Sequence, residues 1–247
     1  MSQSVVQLPP AIRACLFDLD GVLTDTARVH AAAWKEMFDE FLRTQTPEQA
    51  PFDLKSDYEQ FIDGKQRFDG VRSFLASRGI QLPEGTPDDL PGADTIGGLG
   101  NRKNELVLAL IHSHGVQAYE GSVRFVRAVR KAGLRRAVVS ASANCREVLE
   151  AAGIADLFEV VVDGIVAARD HLRGKPAADT FLAAARLLDV PPGAAAVFED
   201  SLAGVAAGRS GGFGLVVGVD RVGHAAALRE YGADIVVSDL AELLEAA

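Results

Sequence analysis

Short apolar runs recur along the chain and alternate regularly with amphipathic stretches in its second half. This pattern predicts an α/β fold. The runs that we interpret as strands are residues 12–17, 136–140, 158–162, 195–198, 214–219 and 235–237. Helical spacing of apolar residues predicts helices at 121–132, 144–152, 176–189, 202–209 and 223–231. Strands that alternate with helices are typical of βαβ units. We therefore expect a Rossmann-like parallel sheet core with helices on both faces.

The alternation stops between about residues 28 and 114. Helical spacing is present there at 29–42, 68–78 and 101–114, and the loop 82–100 is rich in Pro, Gly and Asp. Because no strand is evident in this stretch, we predict a helical cap domain of residues 28–114, inserted after the first strand. The α/β core domain then consists of residues 1–27 and 115–247, and the two chain crossings should act as hinges.

The composition narrows the classes of partner. A formal net charge of −9 disfavours binding to nucleic acid or to an anionic membrane surface. No apolar run is long enough to span a membrane, and the first ten residues lack the features of a signal peptide. With only two cysteines, Cys15 and Cys145, a disulfide framework is not expected. We predict a cytoplasmic monomer with no nucleic-acid or membrane partner.

Two acids, Asp18 and Asp20, follow directly on the first predicted strand, and Gly21 after them permits a sharp turn. Side chains two residues apart on an extended segment point to the same side. Carboxylates at the end of a buried strand are costly unless something binds them, and a divalent cation is the usual partner. The segment therefore predicts an active site at Asp18.

Further polar residues follow other predicted strands, and ligands of open parallel sheets bind at the carboxyl ends of the strands. They are Ser140, Ala141, Ser142 and Asn144, then Lys175 before a helix predicted to begin at Pro176, then Glu199 and Asp200. Phosphoryl transfer uses such a set, because a carboxylate can attack phosphorus while Mg²⁺, lysine, hydroxyl and amide groups stabilise the phosphate oxygens. Taken singly, Ser140 could instead cap a helix and Lys175 could be a surface lysine.

The order Asp-x-Asp-Gly-Val, Ser, Lys-Pro and Glu-Asp-Ser resembles the haloacid dehalogenase (HAD) superfamily, from about residue 11 to 245. The resemblance implies that Asp18 is the nucleophile and Asp20 the general acid/base. It implies Mg²⁺ bound by Asp18, the backbone carbonyl of Asp20, and Asp200, with Glu199 beside them as a further candidate ligand. It also implies that the transferring phosphate is held by Ser140, Ala141 and Lys175.

Within the superfamily, the opening segment through Thr26, His30 and Trp34 resembles the β-phosphoglucomutase family, as do the cap segments 64–67 and 102–104. That family works through a sugar bisphosphate, so the resemblance implies a second anion site and a cap that closes to exclude water. The residues implied at the sugar and its distal phosphate are Thr26, His30, Trp34, Lys65, Arg67, Lys103, Ser142 and Asn144.

Two positions depart from the family pattern. Ala143 stands where a lysine is common, and Lys65 stands where an apolar residue is usual. We hypothesise that Lys65 restores the missing charge from the cap. Some cap residues also have simpler interpretations, because Arg67 could be a solvated arginine, His30 a structural histidine and Trp34 a core residue.

The resulting hypothesis is a magnesium-dependent phosphomutase that interconverts β-D-glucose 1-phosphate and D-glucose 6-phosphate. The reaction would pass through an aspartyl-phosphate enzyme and glucose 1,6-bisphosphate. The first alternative is a HAD-type phosphatase that hydrolyses small sugar phosphates. The second is a non-catalytic sugar-phosphate sensor, which the presence of both Asp18 and Asp20 disfavours.

Overall fold

The computed structural model describes residues 6–45 and 49–245. Six strands form one parallel sheet, which confirms the predicted fold class. They are β1 (Ala14–Phe17), β2 (Arg135–Val139), β3 (Val160–Val162), β4 (Ala195–Glu199), β5 (Leu215–Val219) and β6 (Ile235–Val237). The strand order is β3-β2-β1-β4-β5-β6, so β1 lies at the centre of the sheet, and its four residues are buried.

The helices in chain order are α1 (Ala27–Gln45), α2 (Arg67–Ser77), α3 (Ile96–His114), α4 (Glu120–Lys131), α5 (Cys145–Ala151), α6 (Gly164–Arg169), α7 (Asp179–Leu187), α8 (Leu202–Ser210) and α9 (Ala225–Glu230). A π-helical turn, Tyr58–Ile62, precedes α2. Among the described residues, no helix combines the length and the apolar character that a membrane crossing needs.

The chain divides into two compact units. One consists of residues 1–25 and 116–247 and contains the sheet, and the other consists of residues 26–115 and contains α1 to α3. We call them the core unit and the cap unit. Each has its own cluster of buried apolar side chains.

The register of the sheet brings three strand ends to one level in the core unit. Phe17 at the end of β1 pairs with Val138 on β2 and with Phe198 on β4. The rings of Phe17 and Phe198 stack with centroids 4.6 Å apart, which fixes the two strands side by side. The residues that follow these positions therefore meet at the carboxyl edge of the sheet.

The cap unit is organised around an aromatic cluster. Phe38 on α1 is fully buried and stacks on Trp34 and on Phe52, with ring centroids 5.3 Å apart in both pairs. The ring of Phe74 on α2 lies 4.1 Å from that of Phe38. Each large aromatic side chain buries an extensive apolar area, so this cluster contributes strongly to the packing of the cap unit.

Three helices differ from the sequence-based prediction. The helix predicted to begin at Pro176 begins at Asp179, because residues 174–177 form a turn closed by the Ala177 amide on the Gly174 carbonyl at 3.0 Å. The peptide bond between Lys175 and Pro176 is cis.

The helix predicted from residue 101 begins at Ile96, because the Thr95 hydroxyl accepts a hydrogen bond from the Gly98 amide and caps the helix, despite three glycines in its first turns. Helix α6 has six residues, too few for a periodic pattern.

We expect Phe38→Ala to lower the free energy of unfolding by about 3–5 kcal/mol, because it leaves a cavity among three aromatic rings. Urea denaturation followed by circular dichroism measures the change. Leu90→Ala is the control, since Leu90 lies in the same unit and is 79% exposed; its change should stay within about 0.5 kcal/mol. A loss of less than about 1 kcal/mol for Phe38→Ala would contradict the assigned role of this cluster.

Candidate active site

Asp18 is the first residue after the central strand β1, and its carboxylate is almost completely buried. Its amide donates to the Phe198 carbonyl at 2.9 Å, so the backbone remains tied to β4 at the point where the strand ends. Burial raises the pKa of Asp18 well above its ordinary value, Lys175 opposes this effect, and Glu199 and Asp20 reinforce it. Asp18 therefore occupies a site where a bound cation would be strongly favoured.

Lys175 lies against Asp18. Its Nζ donates to Asp18 Oδ1 at 2.5 Å and to the Val139 carbonyl at 3.3 Å, and it also contacts Glu199 Oε1. Burial disfavours the charge on Lys175, but the two carboxylates outweigh burial and raise the pKa of Lys175 above its ordinary value. Lys175 is 5% exposed, so the structure excludes its interpretation as a surface lysine.

Three acids converge at the carboxyl edge. Asp18, Glu199 and Asp200 each offer a carboxylate oxygen, and these atoms all lie within 4.8 Å of one another. Glu199 is fully buried, and its Oε2 accepts from both the amide and the hydroxyl of Ser201 at 3.0 Å. Hard oxygen donors in such a group suit a divalent cation, which would offset their charge and that of a phosphate when bound.

Two glycines make room for these acids. Gly21 has φ +86°, and a β-carbon on it would lie 1.8 Å from Asp200 Oδ2. A β-carbon on Gly204, in the first turn of α8, would lie 1.9 Å from the carboxylate of Glu199. The sequence indicated the first of these through the turn after Asp20, whereas nothing in it marked Gly204.

The loop after β2 forms a second part of the site. Ser140 is buried, its amide donates to the Val162 carbonyl at 3.0 Å, and its Oγ accepts from the Ser142 amide at 3.1 Å. The Ser142 Oγ accepts from the Asn144 amide, also at 3.1 Å, and α5 begins at the next residue. Ser140 therefore closes a turn and does not cap the helix, and Ala141 lies within this turn.

The residues that support this loop were not among those predicted from the sequence. Asp163 follows β3, is fully buried, caps α6 through the Val166 amide at 2.8 Å and pairs with Arg146 at 3.0 Å. The next residue, Gly164, donates its amide to the Ser142 carbonyl at 3.0 Å. The available signal was an acid directly after a strand, the same signal that marked Asp18.

In the cap unit, the structure brings Lys103, His30 and Trp34 together. The Nζ of Lys103 lies 2.9 Å from His30 Nδ1 and 4.9 Å from the centre of the Trp34 ring. Lys103 is 5% exposed, which is unusual for a lysine. Trp34 is also part of the aromatic cluster, so the same ring supports both the cap core and the ammonium group.

Lys65 and Arg67 lie at the start of α2, and both are half-buried. The Nζ of Lys65 donates to Ser73 Oγ at 2.7 Å, and the Arg67 guanidinium lies over the Phe68 ring at 4.8 Å. Burial lowers the pKa of each of these two groups, because a partly desolvated cation is less stable than one in water. Thr26, also predicted at the site, is buried just before α1.

A family model of haloacid dehalogenase-like hydrolases matches residues 12–212. The chain is 54% identical to a β-phosphoglucomutase of Mycobacterium tuberculosis over 97% of this chain and 94% of that protein. It is 31% identical to a β-phosphoglucomutase of Bacillus subtilis, over 94% and 92% of the two chains. The crystal structure of a Clostridium difficile β-phosphoglucomutase superposes with a TM-score of 0.73 at 26% identity, covering 94% and 93%.

The chain thus belongs to the haloacid dehalogenase-like hydrolase family. It is an enzyme, which sets aside the hypothesis of a non-catalytic sensor.

Divalent ion binding should raise the thermal stability of the enzyme, because a ligand that binds only the folded state stabilises it by about 2.7 kcal/mol at 100 times its Kd. We expect millimolar Mg²⁺ to raise Tm by several degrees in the wild type and not at all in Asp200→Asn. Differential scanning calorimetry measures both. The control Asp156→Asn removes an acid that is 76% exposed and should keep the full shift. A shift that persists in Asp200→Asn would contradict the assigned cluster.

Proposed function

We propose that this enzyme is a magnesium-dependent phosphomutase that interconverts β-D-glucose 1-phosphate and D-glucose 6-phosphate. The observation that carries the proposal is the 54% identity to a β-phosphoglucomutase over almost the whole of both chains. The buried contact between Lys175 and Asp18 supports it, because a nucleophilic carboxylate needs a nearby cation to keep it ionised inside the protein.

In the proposed reaction, a carboxylate oxygen of Asp18 attacks the phosphorus of the bisphosphate. A bond forms between phosphorus and Asp18, and the bond from phosphorus to the sugar oxygen breaks. Asp20 donates a proton to that leaving oxygen. In the reverse direction, Asp20 removes the proton of a sugar hydroxyl, whose oxygen then takes the phosphoryl group from Asp18. Glucose 1-phosphate accepts the phosphoryl group at O6 and glucose 6-phosphate accepts it at O1, so both give the bisphosphate. When Asp18 then takes back the phosphoryl group at the other end, the net result is isomerisation.

Lys175 and the Ser140–Ser142 turn are the groups that we assign to the oxygens of the transferring phosphoryl group. Lys175 supplies a fixed positive charge, and the turn supplies the hydroxyl hydrogen of Ser140, whose oxygen accepts from the Ser142 amide, beside the start of α5. Bound Mg²⁺ would offset charge on the carboxylates and the phosphate, with Asp18, the Asp20 carbonyl and Asp200 as its proposed ligands. Glu199 is placed to orient Lys175 and remains a candidate ligand.

A second phosphate distinguishes the bisphosphate from a simple substrate. In the cap unit we assign it to Arg67, whose planar guanidinium suits phosphate, and to Lys65. In the core unit, Ser142 and Asn144 stay predicted substrate-binding residues. We assign His30 and Lys103 to the sugar hydroxyls, because their 2.9 Å contact fixes a polar pair beside Trp34. Thr26 stays a predicted substrate residue.

We also propose a cytoplasmic location and a monomeric state. Both cysteines are free and buried, as expected for a protein of a reducing compartment.

A phosphatase of the same family is the second candidate, because the matching family model is described as a hydrolase. The two activities differ only in whether a sugar hydroxyl or water takes the phosphoryl group from Asp18. One assay separates them. With β-D-glucose 1-phosphate, Mg²⁺ and a trace of glucose 1,6-bisphosphate, we expect glucose 6-phosphate to form much faster than free phosphate. Release of phosphate as the main product would refute the mutase and support the phosphatase.

In the same assay, Asp18→Asn should lower both rates by at least about 10⁴-fold, since loss of a nucleophile removes the covalent route. Phosphorylated protein, detected by mass spectrometry after acid quenching, should disappear with it. Asp156→Asn is again the control and should keep the wild-type rates. Appreciable turnover by Asp18→Asn would overturn the nucleophile assignment.

Lys65→Ala should weaken the binding of glucose 1,6-bisphosphate about tenfold, the loss of one charge-assisted contact of about 1.5 kcal/mol. The apparent KM for the bisphosphate and its Kd by isothermal titration calorimetry measure the effect. Lys55→Ala removes an exposed lysine of the same unit and should leave both values unchanged. If Lys65→Ala binds the bisphosphate as the wild type does, Lys65 does not compensate for Ala143.

A further inference from the structure

Arg221, which follows β5, is largely buried at the carboxyl edge of the sheet. Its side chain is 17% exposed, and its Nε donates to the carbonyl of Gly21 at 3.0 Å. Gly21 is the residue directly after Asp20. One arginine, 200 positions away in sequence, thus contacts the backbone that carries the proposed proton-transfer group.

The hydrogen bond from Arg221 is one of three that are donated to consecutive backbone carbonyls, those of Gly21, Val22 and Leu23. The Val22 carbonyl accepts from the buried hydroxyl of Ser122 at 2.6 Å, and the Leu23 carbonyl accepts from the Tyr119 amide at 2.9 Å. Arg221 Nη2 in turn donates to Ser122 Oγ at 3.4 Å. Each backbone carbonyl of residues 21–23 therefore accepts a hydrogen bond, and the one nearest to Asp20 in sequence accepts it from Arg221.

The remaining contacts of the Arg221 guanidinium are with Ser238, Asp239 and Tyr119. Its Nη1 donates to the Ser238 carbonyl at 2.8 Å and to Asp239 Oδ2 at 3.2 Å. Its guanidinium carbon lies 3.8 Å from the centre of the Tyr119 ring. Asp239 caps the short helix Leu240–Leu243, so it is itself held in place. A planar guanidinium that contacts several fixed groups at once holds those groups at fixed distances from one another.

Gly21 needs such a constraint. It has φ +86° and no side chain, so its backbone could rotate more freely than that of other residues. Its α-carbon also faces the carboxylate of Asp200, with no room for one further carbon atom. A rotation at Gly21 would therefore displace Asp20 on one side and the packing of Asp200 on the other.

We propose that Arg221 is a positioning residue that holds the Asp20–Gly21 segment in the orientation required for proton transfer by Asp20. The inference rests on the proposed phosphoryl-transfer function and adds a residue to it. Arg221 contacts the carbonyl of Gly21 and acts through the backbone, so its loss should lower kcat and leave KM within about twofold of the wild type.

The test compares two classes of substrate in Arg221→Ala and Arg221→Lys. A sugar phosphate has a poor leaving group that needs a proton from Asp20, whereas p-nitrophenyl phosphate has a leaving group that does not. For the sugar phosphate we expect kcat to fall about 100-fold in Arg221→Ala, the size of effect that a displacement of about 1 Å produces. At saturating Mg²⁺, which keeps the proposed metal site filled in every variant, the burst of p-nitrophenol, which reports phosphorylation of Asp18, should slow at least about tenfold less than this, since that step requires no proton transfer.

Arg221→Lys keeps the charge but cannot reach the same partners, so it should lose at least about tenfold in kcat for the sugar phosphate. If Arg221→Ala does not fold, the kcat of Arg221→Lys for the two substrates tests the proposal in its place. The matched control is Arg136→Ala. Arg136 is 11% exposed, donates to the Leu157 carbonyl at 2.9 Å and pairs with Glu159, but it lies at the amino end of β2. It should lose stability with little change in kcat for either substrate.

Two results would overturn the inference: an unchanged kcat for the sugar phosphate, or equal losses for both substrates, which indicate a purely structural role. Failure of the proposed function is a separate outcome. If the wild type releases phosphate and does not isomerise, the mutase is refuted, and the rate of phosphate release from its best alkyl phosphate replaces isomerisation in the comparison.

Discussion

The contact of the Lys175 ammonium group with the carboxylates of Asp18 and Glu199 is the interaction on which the core site depends. Buried charges are tolerated only when they have partners, and removal of one partner from such a pair costs about 3–5 kcal/mol. Asp18, Glu199 and Asp200 offer three carboxylates to the single ammonium group of Lys175, so this cluster has an excess of acidic groups. A divalent cation would offset this excess, which agrees with the oxygen donors present.

Backbone contacts hold this group of charges in place. Ser201 binds Glu199 through its amide and hydroxyl, Gly164 binds the turn that contains Ser140, and Arg221 binds the segment after Asp20. These contacts come from loops that follow different strands of one sheet. Because the strands are in register, each loop is held by contacts with its neighbours. These contacts keep the side chains of the site in a defined geometry.

The sequence was sufficient for the parallel sheet and for the polar residues at its carboxyl edge. Strand periodicity and the position of acids after strands are local signals, and Asp18 and Asp200 carry them. The helix start at Pro176 was wrong because a hydrogen-bonded turn at 174–177 took precedence over the usual place of proline in a helix.

Arg221 and Gly204 escaped for a different reason. Arg221 acts through a contact with a residue far away in sequence and Gly204 through the absence of a side chain, and neither leaves a pattern along the chain. The binding roles that we propose for Lys65 and Arg67 likewise depend on a ligand, although the partial burial of both residues already distinguishes them from ordinary surface cations.

The aromatic cluster of the cap unit has a consequence for how enzymes of this kind diversify. Phe38, Phe52 and Phe74 give the cap unit an interior of its own, separate from the apolar cluster beneath the sheet. Residues such as Lys65 can therefore be exchanged during evolution without disturbing the packing around Asp18. The two units can thus accumulate substitutions at different rates, because each is built on its own apolar cluster.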